Sequence, residues 1–223
     1  MTDLEPEFLS ERIGPLLRLT INRPRAANAI NDVVTQGIVS GLAQASRSDD
    51  IRAVILTGAG ERIFSAGRDL KNPHNLPLDA LNRQRREESR AYTGALLGFE
   101  KPLVVALNGV AMGAGLMLAL HADQVAAAEH ATLTLPEIDI GIATFLGHTL
   151  VAVLAGDGLA NDLVLTGRRV MAAEALQRGL VHAVVPPDRL AEEAEARAAA
   201  LAAKPAETFR DVKRWILQRR RAA

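Results

Sequence analysis

The sequence predicts an α/β fold in which parallel strands are linked by helical crossovers, and three observations carry this reading. Short apolar runs of strand length alternate with stretches of helical periodicity through the first two-thirds of the chain. Gly-rich turns close several of those runs, and the final third reads as successive helices. The 223 residues, 48% of them hydrophobic, suffice for one large domain or for a domain with a small helical appendage. Aromatic residues are only 3%, so the core must be built from Ala, Val, Leu and Ile.

Taken in order, "PLLRLTIN" alternates apolar and polar residues as a half-buried strand does, and Asn22-Arg23-Pro24 closes it as a turn. From "NAINDVV" to "AQAS", Val34, Ile38, Leu42 and Ala45 keep helical spacing, with Asn31 or Asp32 as N-cap. "IRAVILTGAG" is a buried strand ending in a Gly turn, and "RIFSAGRDL" is a second short extended piece running into a loop. Residues 72–90 are polar, rich in Arg and Glu, and read as a surface segment. "KPLVVALNG" is another buried strand, followed by a Gly-rich turn and a helix from Leu116. "ATLTLPEIDIGI" carries a further strand and a Pro-Glu turn. Helical patterns follow at 143–155, 157–166, 172–178, 188–203 and 206–221, interrupted by a strand at "LVHAVVP". No internal repeat or low-complexity tract is present. Pro186-Pro187 is the best boundary, dividing a core at 1–185 from a C-terminal helical segment at 186–223.

Charge and composition narrow the function. Lys+Arg and Asp+Glu number 26 each, and this neutrality argues against a nucleic-acid or membrane-surface partner. Without cysteine, thiolate nucleophiles, disulfides and Cys-ligated metals are excluded, and no metal site is expected. The acidic "MTDLEPEFLSERIG" lacks the apolar core of a secretory signal, and no run has transmembrane length. A cytoplasmic protein is expected.

Two stretches share one logic. "FSAGRDL" and "GVAMGAGL" each place small residues at the end of a strand, and neighbouring parallel strands end on the same side of a sheet. Both turns can therefore face one crevice, where backbone N–H groups could hold a carbonyl oxygen that becomes an enolate. Close packing of helix on strand would use the same small residues. A dinucleotide-binding turn is a poor match, because "GAGLML" lacks the third glycine.

These residues, with "NRPRAANAIN", "FSAGRDLK", "KPLVVALNGVAMGAGLMLALHAD", "LPEIDIGI" and "LTGRRVMAAEALQRGLVHAVVP" in this order, resemble the enoyl-CoA hydratase/isomerase (crotonase) family over residues 14 to 215. The resemblance implies a spiral of ββα units with a helical C-terminal region that assembles a homo-oligomer, a trimer or hexamer. It implies an acyl-CoA thioester substrate, with no cofactor beyond the coenzyme A that the substrate carries. Matched motif to motif, the two backbone donors to the thioester oxygen fall on Arg68 and Ala114. Arg25 and Ala27, with Ala66, Asp69 and Leu70, fall where the family binds coenzyme A.

The chain departs from the family at Met117. Hydratases of the family carry one glutamate at that helix position and a second in the Pro-Glu motif, here Glu137. A single carboxylate suits a proton shuttle, so the resemblance implies an enoyl-CoA isomerase with Glu137 as base. Apolar Leu135, Ile138 and Ile140 around Glu137 would raise its pKa toward the working range. A hydratase using Asp139 or water as second acid, and a non-catalytic CoA-binding or assembly protein, stand as alternatives. Asp139 would share the face of Glu137 if the segment is extended; otherwise it is a solvated carboxylate. His148, in "GIATFLGHTL", lines the acyl pocket or caps a helix. The Arg68 side chain either pairs with a substrate carboxylate, Glu137 or Asp69, or faces solvent. His121 reads as a packed helix residue, Asp123 as structural and His74 as solvated. The family continues into a further helix beyond "KPAETFRDVKRWILQRRRAA"; Arg219, Arg220 and Arg221 could contact phosphates in its place or complement a helix dipole.

Overall fold

The computed structural model describes residues 5–71 and 77–222. Its organising unit is a strand, a tight turn, a second short strand and a helix, repeated along the chain. The first such unit is β3 (Ala53–Gly58), β4 (Ile63–Ser65) and α2 (Leu78–Gly98). The second is β5 (Leu103–Leu107), β6 (Val110–Met112) and α3 (Ala114–Leu120). The third is β7 (Gln124–Ala128), β8 (Thr132–Thr134) and, after a short 3₁₀ turn at Pro136–Ile140, α4 (Phe145–Ala155).

The first strands of the units lie parallel in a six-stranded sheet. They are flanked on one side by β2 (Leu16–Ile21) and the antiparallel edge strand β1 (Phe8–Ile13), and on the other by β10 (Ala183–Val185). The second strands build a separate sheet ordered β4-β6-β8, all parallel, closed by the antiparallel β9 (Val170–Met171). The chain thus climbs as a spiral of ββα units. Successive turns stack closely: a Cβ at Gly109 would lie 2.1 Å from the Arg62 carbonyl, so only glycine fits there.

α1 (Asp32–Arg47) forms where periodicity predicts it, and the Asn31 side chain accepts the Val34 N–H at 3.0 Å as N-cap. One face of the six-stranded sheet is covered by α7 (Leu190–Ala202), whose Leu190, Ala194 and Ala198 recur every fourth residue against Ala53, Ile55, Val104 and Ala126. The segment beyond Pro186 therefore supplies part of the core. α8 (Ala206–Ala222) is tied down by Lys213, which is buried, lies over the Phe99 ring and donates to Asp123 Oδ2 at 2.7 Å and to the Lys101 carbonyl at 2.6 Å. Asp123 also accepts the Leu103 N–H at 2.8 Å, a structural role. α5 (Asp157–Thr166) and α6 (Ala172–Gln177) complete the helices.

Some local features differ from the sequence reading or were not covered by it. The acidic N-terminal stretch contains β1, four of whose six residues are exposed, with no alternation. Much of the polar segment at 72–90 lies in α2, and residues 72–76 are outside the described residues. α3 begins at Ala114 rather than Leu116, directly after β6. Among the described residues no helix is long and apolar enough to cross a membrane.

Candidate active site

Parallel strands end on one side, and here the ends of β4, β6 and β8 bring three short segments together: residues 66–69, 113–117 and 135–137. The first segment is held by residues 27–30. Ala66 N–H donates to Ala27 O at 3.0 Å, Ile30 N–H to Gly67 O at 2.8 Å, and Asp69 N–H to Ile30 O at 2.9 Å. The bonds of the parallel Ile30–Arg68 bridge are thus carried by the residues flanking Arg68. In extended chain, successive N–H groups alternate sides, so the Arg68 N–H faces away from Ile30.

The second segment starts at Gly113, with φ 52° and ψ −122°, a conformation glycine adopts without steric cost. Its N–H donates to Thr134 O at 3.0 Å, which locks the turn to β8. Ala114 is the first residue of α3, where a helix N–H has no acceptor within the helix. The two turns touch: a Cβ at Gly67 (φ 89°) would lie 2.7 Å from Met112 O and 3.2 Å from the Ala114 nitrogen. Backbone donors at Arg68 and Ala114 are therefore neighbours across an interface that admits no side chain at Gly67.

Glu137 reaches the same place from the third segment. A Cβ at Gly113 would stand 2.9 Å from its Oε1, so the carboxylate lies directly over the Gly113-Ala114 turn. Burial pushes its pKa up, against a weaker opposing effect from its own backbone N–H. Among the described residues no group donates to the buried Oε2. A carboxylate that is desolvated and without a cation is easily protonated, which is what a proton shuttle requires.

Met117 sits one turn into α3, its N–H donating to Gly113 O at 3.0 Å and its side chain half-buried against the core. Its thioether side chain carries no ionisable group. His121 is buried at the end of that helix, with Nδ1 2.7 Å from Met117 O.

Asp139 does not share the face of Glu137. Pro136 starts a 3₁₀ turn, in which residues two apart are separated by about two-thirds of a revolution. Asp139 is exposed and its Oδ2 lies against Gly167, 2.8 Å from where a Cβ would be. The Arg68 guanidinium pairs with neither Glu137 nor Asp69; it turns to α2 and donates to Ser89 Oγ beside Tyr92. Asp69 instead accepts from Arg23 at 2.9 Å. Burial raises the Asp69 pKa, but the Lys71 N–H and the Arg23 guanidinium outweigh it and hold the carboxyl below its ordinary value.

Arg25 is exposed on a 3₁₀ turn at Pro24–Ala26, and Ala27 follows in left-handed conformation with φ 51°. Ala66 is half-buried and Leu70 is exposed. His148 is half-buried, with Nε2 2.9 Å from Asn161 Oδ1. It lines a cavity of about 530 Å³ with Ile138, Ile142, Phe145, Val164 and Leu165. His74 and the side chains of Arg219, Arg220 and Arg221 lie outside the described residues. Among the described residues no three His, Cys, Asp or Glu side chains cluster as metal ligands would.

Three polar residues around this site, Arg23, Asn28 and Ser65, are not assigned to it by the sequence alone. Each makes its decisive contact with a residue distant in the chain, such as Arg23 with Asp69, 46 positions on. The local sign is their position in "NRPRAANAIN" and "FSAGRDLK".

Comparison with known proteins agrees with this architecture. Residues 12–221 match the profile of the enoyl-CoA hydratase/isomerase family. The chain is 40% identical over 186 residues to a carnitinyl-CoA dehydratase of Salmonella arizonae, covering 82% of this chain and 69% of that protein. It is 39% identical over 183 residues to the 2,3-dehydroadipyl-CoA hydratase of Escherichia coli, covering 82% and 70%. A crystal structure of an enoyl-CoA hydratase from Bacillus anthracis superposes with a TM-score of 0.88 at 33% identity, over 94% of this chain and 82% of that one. By sequence and by its crotonase-like spiral, the chain belongs to the enoyl-CoA hydratase/isomerase family.

Proposed function

We propose that this chain acts on an enoyl-CoA thioester through an enolate and shifts its double bond, with Glu137 as the single proton shuttle. The observation that carries this reading is that the Glu137 carboxylate overlies the Gly113-Ala114 turn, while Met117, one turn into α3, offers no acid at the position where the family resemblance implies a second one. The thioester oxygen would accept from the N–H groups of Arg68 and Ala114. Glu137 takes the proton from C2 of a 3-enoyl thioester, and the C–H electrons form the enolate, whose negative charge rests on that oxygen. The protonated Glu137 then returns the proton at C4, the C3–C4 double bond becomes C2–C3, and the carboxylate is restored.

The coenzyme A moiety would lie at the turn region, with the exposed Arg25 for a phosphate and Ala66 and the exposed Leu70 for the adenine. Asp69, already engaged by Arg23, serves this region as a brace. His148 faces the acyl side. Exposed Phe145, Leu165 and Trp215 suit a homo-oligomer, a trimer or hexamer, of a cytoplasmic protein.

A second reading, hydration or dehydration, is favoured by the names of the relatives, which are hydratases and dehydratases. It requires water to act as the second acid, because Asp139 faces Gly167. Mass spectrometry in deuterated water separates the two. The wild type is expected to incorporate deuterium into trans-3-hexenoyl-CoA and convert it to the 2-enoyl ester, while hydrating crotonyl-CoA poorly. Met117→Glu is expected to raise hydration of crotonyl-CoA and to lower Tm, since a half-buried carboxylate is costly. Wild-type hydration at a kcat near 10³ s⁻¹, the upper end of the usual range, would remove the single-base reading.

A further inference from the structure

The most fully used polar side chains near the site are ones with no chemistry of their own. Asn28 is completely buried and left-handed, with φ 51°, a conformation that asparagine tolerates better than most residues. Its amide holds three backbone groups: Nδ2 donates to Ile63 O at 2.7 Å and to Ala59 O at 2.9 Å, and Oδ1 accepts the Arg23 N–H at 2.9 Å. The amide thus ties the 23–28 turn to the stretch entering β4.

Ser65 continues the chain of contacts. It is also completely buried; its Oγ donates to Asn28 O at 2.8 Å and accepts the Gly67 N–H at 3.2 Å. On its other side α3 is seated directly upon it: a Cβ at Gly115 would stand 2.5 Å from Ser65 O and 2.7 Å from Ser65 Cβ. Ser65 therefore touches both turns at once. One carries Arg68, one residue beyond Gly67; the other carries Ala114, one residue before Gly115.

We infer that Asn28 and Ser65 are positioning residues that set the separation and aim of the Arg68 and Ala114 N–H groups. The inference rests on the oxyanion reading given above. Asn28 shapes the 27–30 segment on which residues 66–69 are hung, and Ser65 passes that geometry to Gly67 while fixing how deeply α3 sits. Such a network acts as a unit because each buried member satisfies the next. Misplacement of a reacting group by about 1 Å costs on the order of 10²-fold in rate, so a small loosening here is visible in turnover.

The test uses crotonyl-CoA labelled with ¹³C at the thioester carbonyl, bound to the full-length chain, with the C=O stretch read by infrared difference spectroscopy. Turnover of crotonyl-CoA and trans-3-hexenoyl-CoA and the melting temperature are measured alongside. Wild type is expected to shift the band to lower frequency than in free thioester, because two N–H donors polarise the carbonyl. Ser65→Ala is expected to lose part of that shift and to drop kcat by roughly ten- to a hundredfold, with KM within about twofold. Ser65→Cys keeps the site filled with a weaker donor and acceptor, and is expected to fall between the two. It serves if the alanine variant does not fold. A residue that only stabilises the fold would lower Tm and leave both band and kcat unchanged.

Folded Ser65→Ala or Ser65→Cys with the full band shift and wild-type kcat overturns the inference. If Ala114→Val removes the shift in that same experiment, the oxyanion reading survives and only the positioning role fails. If the wild type itself shows no shift, the oxyanion reading falls and takes this inference with it.

Discussion

Glu137→Gln is expected to abolish double-bond migration and α-proton exchange while leaving the fold intact. Loss of a general base costs about 10²–10⁴-fold, and among the described residues Glu137 is the carboxylate that lies against Gly113. Deuterium incorporation at C2 measures the loss; a variant retaining more than about a tenth of the wild-type rate would show that Glu137 is not the base. The same substitution carries a stability signature of opposite sign. Burial raises the Glu137 pKa above its ordinary 4.5, so the folded chain binds that proton more tightly than the unfolded chain does. Stability linked to this group is therefore full below about pH 4.5 and is lost as pH rises through the folded-state pKa. Glutamine has nothing to ionise. The variant is expected to melt above the wild type at neutral pH, with the gain vanishing as pH falls below about 4.5. Wild-type kcat/KM should rise with pH across the same window, as the carboxylate forms. Equal melting temperatures at both pH values would mean that the carboxylate is not desolvated in solution.

Ala114→Val is expected to cost on the order of 10²–10³-fold in kcat, the usual consequence of losing one oxyanion donor. The backbone N–H remains, but the Ala114 side chain packs against the core at the turn whose nitrogen lies only 3.2 Å from the Gly67 Cβ position, and two added methyl groups there would displace that turn. Valine restricts helix geometry only slightly, so the loss of stability should be modest. Steady-state kinetics beside a thermal melt separates the two effects. Normal turnover in a folded Ala114→Val protein would place the thioester oxygen elsewhere.

Much of the fold was legible because its signals are local. Strand-length apolar runs, the Asn31 cap and the periodic α1 stripe depend on neighbours a few residues away, and they appear where the sequence places them. β1 was not legible, because an edge strand exposed along most of its length carries no alternation to read. α2 was also obscured, its polar and charged composition reading only as a surface segment.

The division is clearest at the site. By itself the sequence determined the family, the small residues at Gly67, Gly113 and Gly115, and the presence of Met117 rather than an acid early in the helix that follows them. These are properties of residue type and order. Only the tertiary structure decided which groups meet. It separated Asp139 from Glu137, because a proline-started 3₁₀ turn rotates residues two apart away from each other. It gave Asp69 to Arg23 and sent the Arg68 guanidinium to Ser89 on α2. It also joined Asn28 to Ser65, 37 residues apart, with Ser65 in contact with both Gly67 and Gly115. Charge and hydrogen-bonding capacity are written in each side chain, but their partners are chosen by distance in space. That distance is fixed only when β4, β6 and β8 align and bring their ends to one edge.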